Sequence, residues 1–151
     1  VGQVNHADST SNNFWITGIQ LEVGDTATDF EFLPYDVNLK RCQRYYYLHS
    51  GEIANNKPIG IGYYYNASYI GVFLGFPTTM RNSPSTVAPN SSNYFKFDRD
   101  GGNDQFDTLA TEIVSVNWVQ LYHGSGSGTQ GVAGSVRTNN ASSYLAFESE
   151  L

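Results

Sequence analysis

Tyr63, Tyr64, Tyr65, Tyr69, Trp118 and Tyr122 are large flat side chains that could stack on the C–H faces of sugars. Asn or Asp side chains nearby could hold the hydroxyls. Tyr64, Tyr69, Trp118 and Tyr122 are the candidate ligand contacts of such a platform. The competing reading of each is burial in a core or a subunit interface, where Tyr and Trp are enriched. Sequence alone does not rank Tyr64 against Trp118.

Other chemistry is less well supported. Asp98-Arg99-Asp100-Gly101-Gly102-Asn103-Asp104 is oxygen-rich around a glycine turn, but it departs from calcium-loop spacing and lacks a closing Glu. A polar hairpin between Phe97 and Phe106 is the preferred reading. Glycoside hydrolysis needs two carboxylates about 5–9 Å apart across a cleft, which 14 acids scattered along a chain do not define. His6, His49 and His123 lie outside any G-x-S-x-G context. One Cys and three His make no zinc pattern. Asn66-Ala-Ser68, Asn90-Ser-Ser92 and Asn140-Ala-Ser142 match the glycosylation pattern and are read as coincidence in an Asn/Ser-rich chain. No enzyme activity, metal or cofactor is expected.

The elements that must carry the platform are short and extended. A chain of 151 residues is long enough for one domain, or one domain with a short appendage. Net charge is −6 with no Lys/Arg cluster, which argues against nucleic acid. No apolar run approaches the roughly 18 residues of a membrane-spanning helix, so no membrane insertion is expected. An aromatic content of 15% argues against disorder. The first residue is Val1, so the chain is expected to be a fragment or a processed product.

Residues 1–13 read as a linker. Phe14–Val23 alternates as a half-buried strand, with Ile19, Leu21 and Val23 on one side and Gln20 and Glu22 on the other. A helix is expected over 36–47 with Asp36 as its N-cap. Leu39, Cys42 and Tyr46 form its apolar stripe, where Cys42 should be packed rather than reactive. Tyr45-Tyr46-Tyr47 also suits a strand. Strands are expected at 59–65, 68–76, 85–88, 93–98, 105–109, 111–123, 132–137 and 143–149, with Gly124–Gly131 a mobile loop. In 68–76, Ile70, Val72, Leu74 and Phe76 share a face, and Tyr69, Gly71, Phe73 and Gly75 share the other. The fold class is all-β: a jelly-roll-like antiparallel β-sandwich with one short N-terminal α-helix.

Two segments carry a resemblance. Gln20-Leu21-Glu22-Val23-Gly24, Ala27-Thr28-Asp29-Phe30-Glu31 and Cys42-Gln43-Arg44-Tyr45-Tyr46 stand in order, followed by Phe76-Pro77-Thr78-Thr79-Met80-Arg81-Asn82-Ser83-Pro84-Ser85-Thr86-Val87. This QLEVG, ATxFE, CQRYY and FPxxMRxxPxV succession resembles the C-terminal region of tail-fibre and spike proteins of tailed bacteriophages. Asp29 stands where proline is common, and Ser85 where threonine is. The ending Glu148-Ser149-Glu150-Leu151 resembles the family's acidic terminus, so Leu151 is expected to be the true C-terminus.

The resemblance implies a virion component exposed to the extracellular medium. It would be a homotrimer joined to other virion tail proteins, binding a host surface polysaccharide or protein receptor through exposed loops. It also implies three segments: the end of an upstream jelly-roll-like domain at 1–33, a helical neck at 34–50 packed through Leu39, Cys42 and Tyr46, and a tip domain at 51–151. The rival expectation is a structural cap that trimerises and protects the fibre end without touching a receptor. A hydrolytic spike domain is the third.

Overall fold

The short runs punctuated by Gly, Pro and Asn fold as strands, and one segment folds as a helix. In the computed structural model, residues 13, 15–50 and 55–149 are described. The chain divides into two units, Val1–Pro34 and Tyr35–Leu151. In the second unit the elements are α1 (Tyr35–Gln43), β1 (Tyr46–Ser50), β2 (Pro58–Tyr64), β3 (Ile70–Gly75), β4 (Ser85–Val87) and β5 (Phe95–Arg99), then β6 (Gly102–Phe106), β7 (Ala110–Val114), β8 (Trp118–His123), β9 (Ala133–Thr138) and β10 (Leu145–Glu148).

All strand pairs are antiparallel. One sheet has the order β1-β10-β4 and the other β6-β5-β9-β2-β3-β8-β7. Setting β3 and β8 aside leaves eight strands. Counted one to eight, they lie as 1-8-3 in the smaller sheet and 5-4-7-2 in the larger. The sixth, β7, rests against β4, where the Thr86 and Thr111 hydroxyls meet. That is the jelly-roll order, and β3 with β8 is an added pair that curls the large sheet round until β7 reaches the small one. The expected fold class is therefore the one observed.

The core lies between the sheets. Tyr64, Ile70, Val72, Phe95, Phe97, Leu121, Val136, Leu145 and Phe147 are all fully buried, each large apolar side chain contributing about 1.5–3 kcal/mol by leaving water. The β2 glycines make room for it. A Cβ on Gly60 would stand 2.9 Å from Leu74, and one on Gly62 would stand 3.2 Å from Phe97.

Several expectations need correction. The helix ends at Gln43, four residues early, and Tyr46–Ser50 pairs with β10 as a strand. The neck expected over 34–50 is thus helical only in part, and its end belongs to the sandwich. The run 111–123 is two strands. Ser115 Oγ accepts from the backbone N–H of Asn117 and Trp118, both at 3.2 Å, and folds the chain into a β7–β8 hairpin. The loop 124–131 is tied down: Gly126 N–H donates to Ser68 O at 2.8 Å, Gly128 N–H to Ala67 O at 2.9 Å and Gly131 N–H to Tyr64 O at 2.8 Å. The polar hairpin between Phe97 and Phe106 is present as β5–β6, with Gly101 in the left-handed region at φ +79°.

In the first unit, residues 15–23 form no strand, and Phe14 with residues 1–12 lies outside the described residues. Polar side chains replace the ladder. Glu22 accepts from Thr28 N–H and Thr28 Oγ1, each at 2.6 Å, and Glu31 N–H donates to Gln20 Oε1 at 2.8 Å. The Thr28 hydroxyl, the Thr28 amide and Gln20 hold the Glu22 carboxyl below its usual range.

Candidate functional site

Alternation decides which aromatics reach solvent. Val119 and Leu121 of β8 face the core, so Trp118, Gln120 and Tyr122 face outward. On the neighbouring β3, Gly71, Phe73 and Gly75 face the same way. Gly71 stands opposite both Tyr63 and Tyr122, and Phe73 opposite Gln120. With Ile61 from β2 and Ile113 from β7, these side chains make the β2-β3-β8-β7 half of the large sheet's outer face apolar. The β6-β5-β9 half is polar. There Lys96 and Arg137 both reach Asp98, at 3.1 and 3.4 Å.

The apolar half is organised as ring pairs. Tyr69 and Tyr122 stack with centroids 5.1 Å apart and planes 1° from parallel. Tyr63 and Phe73 stack at 6.5 Å, and Phe73 tilts 49° against Trp118 at 6.2 Å. The Tyr63 ring lies over Gly71, where a Cβ would sit in ordinary van der Waals contact with it at 3.4 Å. Phe73 remains 53% exposed and Trp118 41% exposed, so their ring faces are open to a ligand.

Polar groups frame the rings. Gln120 Nε2 donates to Glu112 Oε2 at 2.7 Å, and the Tyr69 phenol also donates to Glu112. Desolvation first, then that hydrogen bond and the carboxylate charge, push the Tyr69 phenol far above its ordinary value. Beside Trp118, Thr79 Oγ1 donates to Asn117 Oδ1 at 2.9 Å. An aromatic surface edged by fixed amide, carboxylate and hydroxyl groups can stack a sugar ring and hold its hydroxyls.

Of the four predicted ligand contacts, Tyr69, Trp118 and Tyr122 lie on this face. Tyr64 does not. It points the other way on β2, is 0% exposed and packs edge-on against Phe97 at 5.3 Å. Phe73 and Ile61 are the members that counting Tyr and Trp missed, although the β3 alternation had already put Phe73 on the same side as Tyr69. The neck residues Leu39, Cys42 and Tyr46 are all exposed, and α1 buries none of its residues, so Cys42 is not packed within the chain.

Tyr64 belongs to a second arrangement. The glycine-rich loop lies across its ring. Arg99 stacks over the ring at 5.6 Å and donates to Ser127 O at 2.7 Å, with Asp104 at 3.5 Å. Tyr64 Oη and Arg99 Nε are buried with no hydrogen-bond partner among the described residues, a state that costs about 1–3 kcal/mol per group. Above them, Arg99, Asp100, Ser127, Gly128, Thr129 and Val132 line a cleft of about 300 Å³. Nearby, the Phe106 ring stacks on His123 at 4.4 Å, and burial lowers the His123 pKa from its ordinary value.

Among the described residues no group of three His, Cys, Asp or Glu side chains could hold a metal, and no helix is long and apolar enough to cross a membrane. No family model, no curated protein and no solved structure matches the chain.

Proposed function

We propose that this chain is the C-terminal region of a tailed-phage fibre or spike, a homotrimer exposed on the virion that binds a host surface glycan without chemical turnover. The observation that carries the reading is the open Phe73–Trp118 pair, held beside the Tyr69–Tyr122 stack on the apolar half of an otherwise solvated sheet. Large aromatics exposed together on a rigid sheet are a binding surface. The sequence succession from Gln20 to Val87 supplies the phage context. Three such faces on one stem would gain avidity from effective concentration, so each site alone can be weak.

The structural cap is the second reading, and one observation favours it. Helix α1 has only nine residues and buries none of them. A helix that short does not persist alone, and sister copies packed through Leu39, Cys42 and Tyr46 would support it. Whole-cell and glycan-array binding by the full chain separates the two. Binding that is lost in Trp118→Ala supports the adhesin. A trimer that binds neither cells nor glycans supports the cap. Release of reducing sugar from host polysaccharide would overturn both in favour of a hydrolase.

A further inference from the structure

We infer that the cleft between the β5–β6 turn and the glycine-rich loop is a second binding site, one that takes a single uncharged sugar residue. The inference rests on the glycan-binding reading for the source of that sugar and adds a location and a ligand class to it. The cleft's lining has the needed chemistry. The Arg99 guanidinium donates, the Asp100 carboxylate accepts, the Ser127 and Thr129 hydroxyls do either, and Val132 offers an apolar wall. A volume of about 300 Å³ is at the small end of ligand pockets, which suits one ring rather than a chain.

Charge selects against acidic sugars. Arg99 is shared with Asp104 at 3.5 Å and stands beside Asp100, so two carboxylates face one guanidinium. A uronate would meet net negative charge, whereas neutral vicinal hydroxyls can bridge guanidinium and carboxylate. A second, independent feature points to a ligand here. Arg99, a lining residue, has its Nε buried without a partner, and Tyr64 Oη is likewise unpartnered beneath Gly126 and Gly128 of the loop that forms the cleft's wall. The loop above them is glycine-spaced: Gly126 and Gly128 rest on the Tyr64 ring without side chains, and a Cβ on Gly126 would stand 3.1 Å from Tyr64 Oη.

The test is amide-resolved NMR of the full chain titrated with methyl glucoside, methyl galactoside, N-acetylglucosamine and glucuronate. At least one neutral sugar should shift residues 99–100 and 126–132 at millimolar concentration, and glucuronate should not. Asp100→Asn and Thr129→Val should each weaken that sugar about tenfold. Neutral-sugar shifts confined to the Phe73–Trp118 face would overturn the cleft and leave the adhesin standing. Shifts at the cleft driven equally by glucuronate, or no shift there with any sugar, would also overturn it. Whole-cell binding by the same protein reports separately on the adhesin reading.

Discussion

The Tyr64 ring lies immediately beneath the backbone of Gly128, so close that a Cβ on Gly128 would fall inside the ring's van der Waals surface. The glycine-rich run is therefore a fitted cover, and its composition reports the shape of what lies below. Gly128→Ala should destabilise the domain by about 1–3 kcal/mol through overpacking. Gly124→Ala meets nothing within 4 Å and should be neutral or stabilising by about 0.4–1 kcal/mol. Urea denaturation of the two variants checks the contrast.

Tyr64→Phe removes a buried hydroxyl that has no partner and keeps the ring that Phe97 and Arg99 pack against. It should leave stability unchanged or raise it by about 1 kcal/mol. Tyr64→Ala should cost about 3–5 kcal/mol. A loss of more than 1 kcal/mol in the Phe variant, read from thermal melts, would mean that the hydroxyl is bonded in solution.

Trp118→Ala removes a half-exposed ring from the outer face. Binding to cells or glycans should fall at least tenfold, while the unfolding midpoint changes by less than the equivalent of about 1 kcal/mol. Unchanged binding would remove the aromatic face from the receptor site.

The Tyr69 phenol titrates well above its ordinary value of 10.0 because of desolvation and Glu112. The folded state then holds a proton that the unfolded state has lost, so this group's contribution to stability is complete below pH 10 and declines as pH rises above it. An ultraviolet alkaline titration should show Tyr69 resisting ionisation, with Tyr47, raised by burial alone, also titrating late. Glu112→Gln should lower that midpoint only part of the way, since desolvation is the largest cause.

Leu39→Asp puts a charge on the exposed stripe of α1. The unaltered chain should scatter light as three copies of the 16.7 kDa polypeptide, and the variant as one, with the sandwich melting at the same temperature. An unaltered chain already monomeric would sink the trimer.

Strict alternation made β3 legible: Ile70, Val72 and Leu74 are core, while Phe73 is outside. In β8 the same alternation puts Trp118, Gln120 and Tyr122 on the face opposite Val119 and Leu121. Pattern failed where side chains did the work of backbone partners. Ser115 makes a turn with neither Gly nor Pro, so 111–123 looked continuous. Gln20 and Glu22 bond Glu31 and Thr28, which leaves residues 15–23 alternating yet without a sheet. Three tyrosines in a row suit helix and strand alike, and pairing with β10 settled Tyr46 and Tyr47 as strand. For Tyr64 against Trp118, local sequence holds no signal. What hides Tyr64 is a loop some sixty residues away.

Strand β10 joins β1 to β4, and those three are drawn from widely separated stretches of the chain. Long loops must close before that small sheet gains anything, so assembly should be slow. During synthesis, β1 and β4 emerge with their shared edge empty and wait for Leu145–Glu148 to arrive. A ribosome that stalls before Leu145 therefore leaves a copy that cannot complete its second layer.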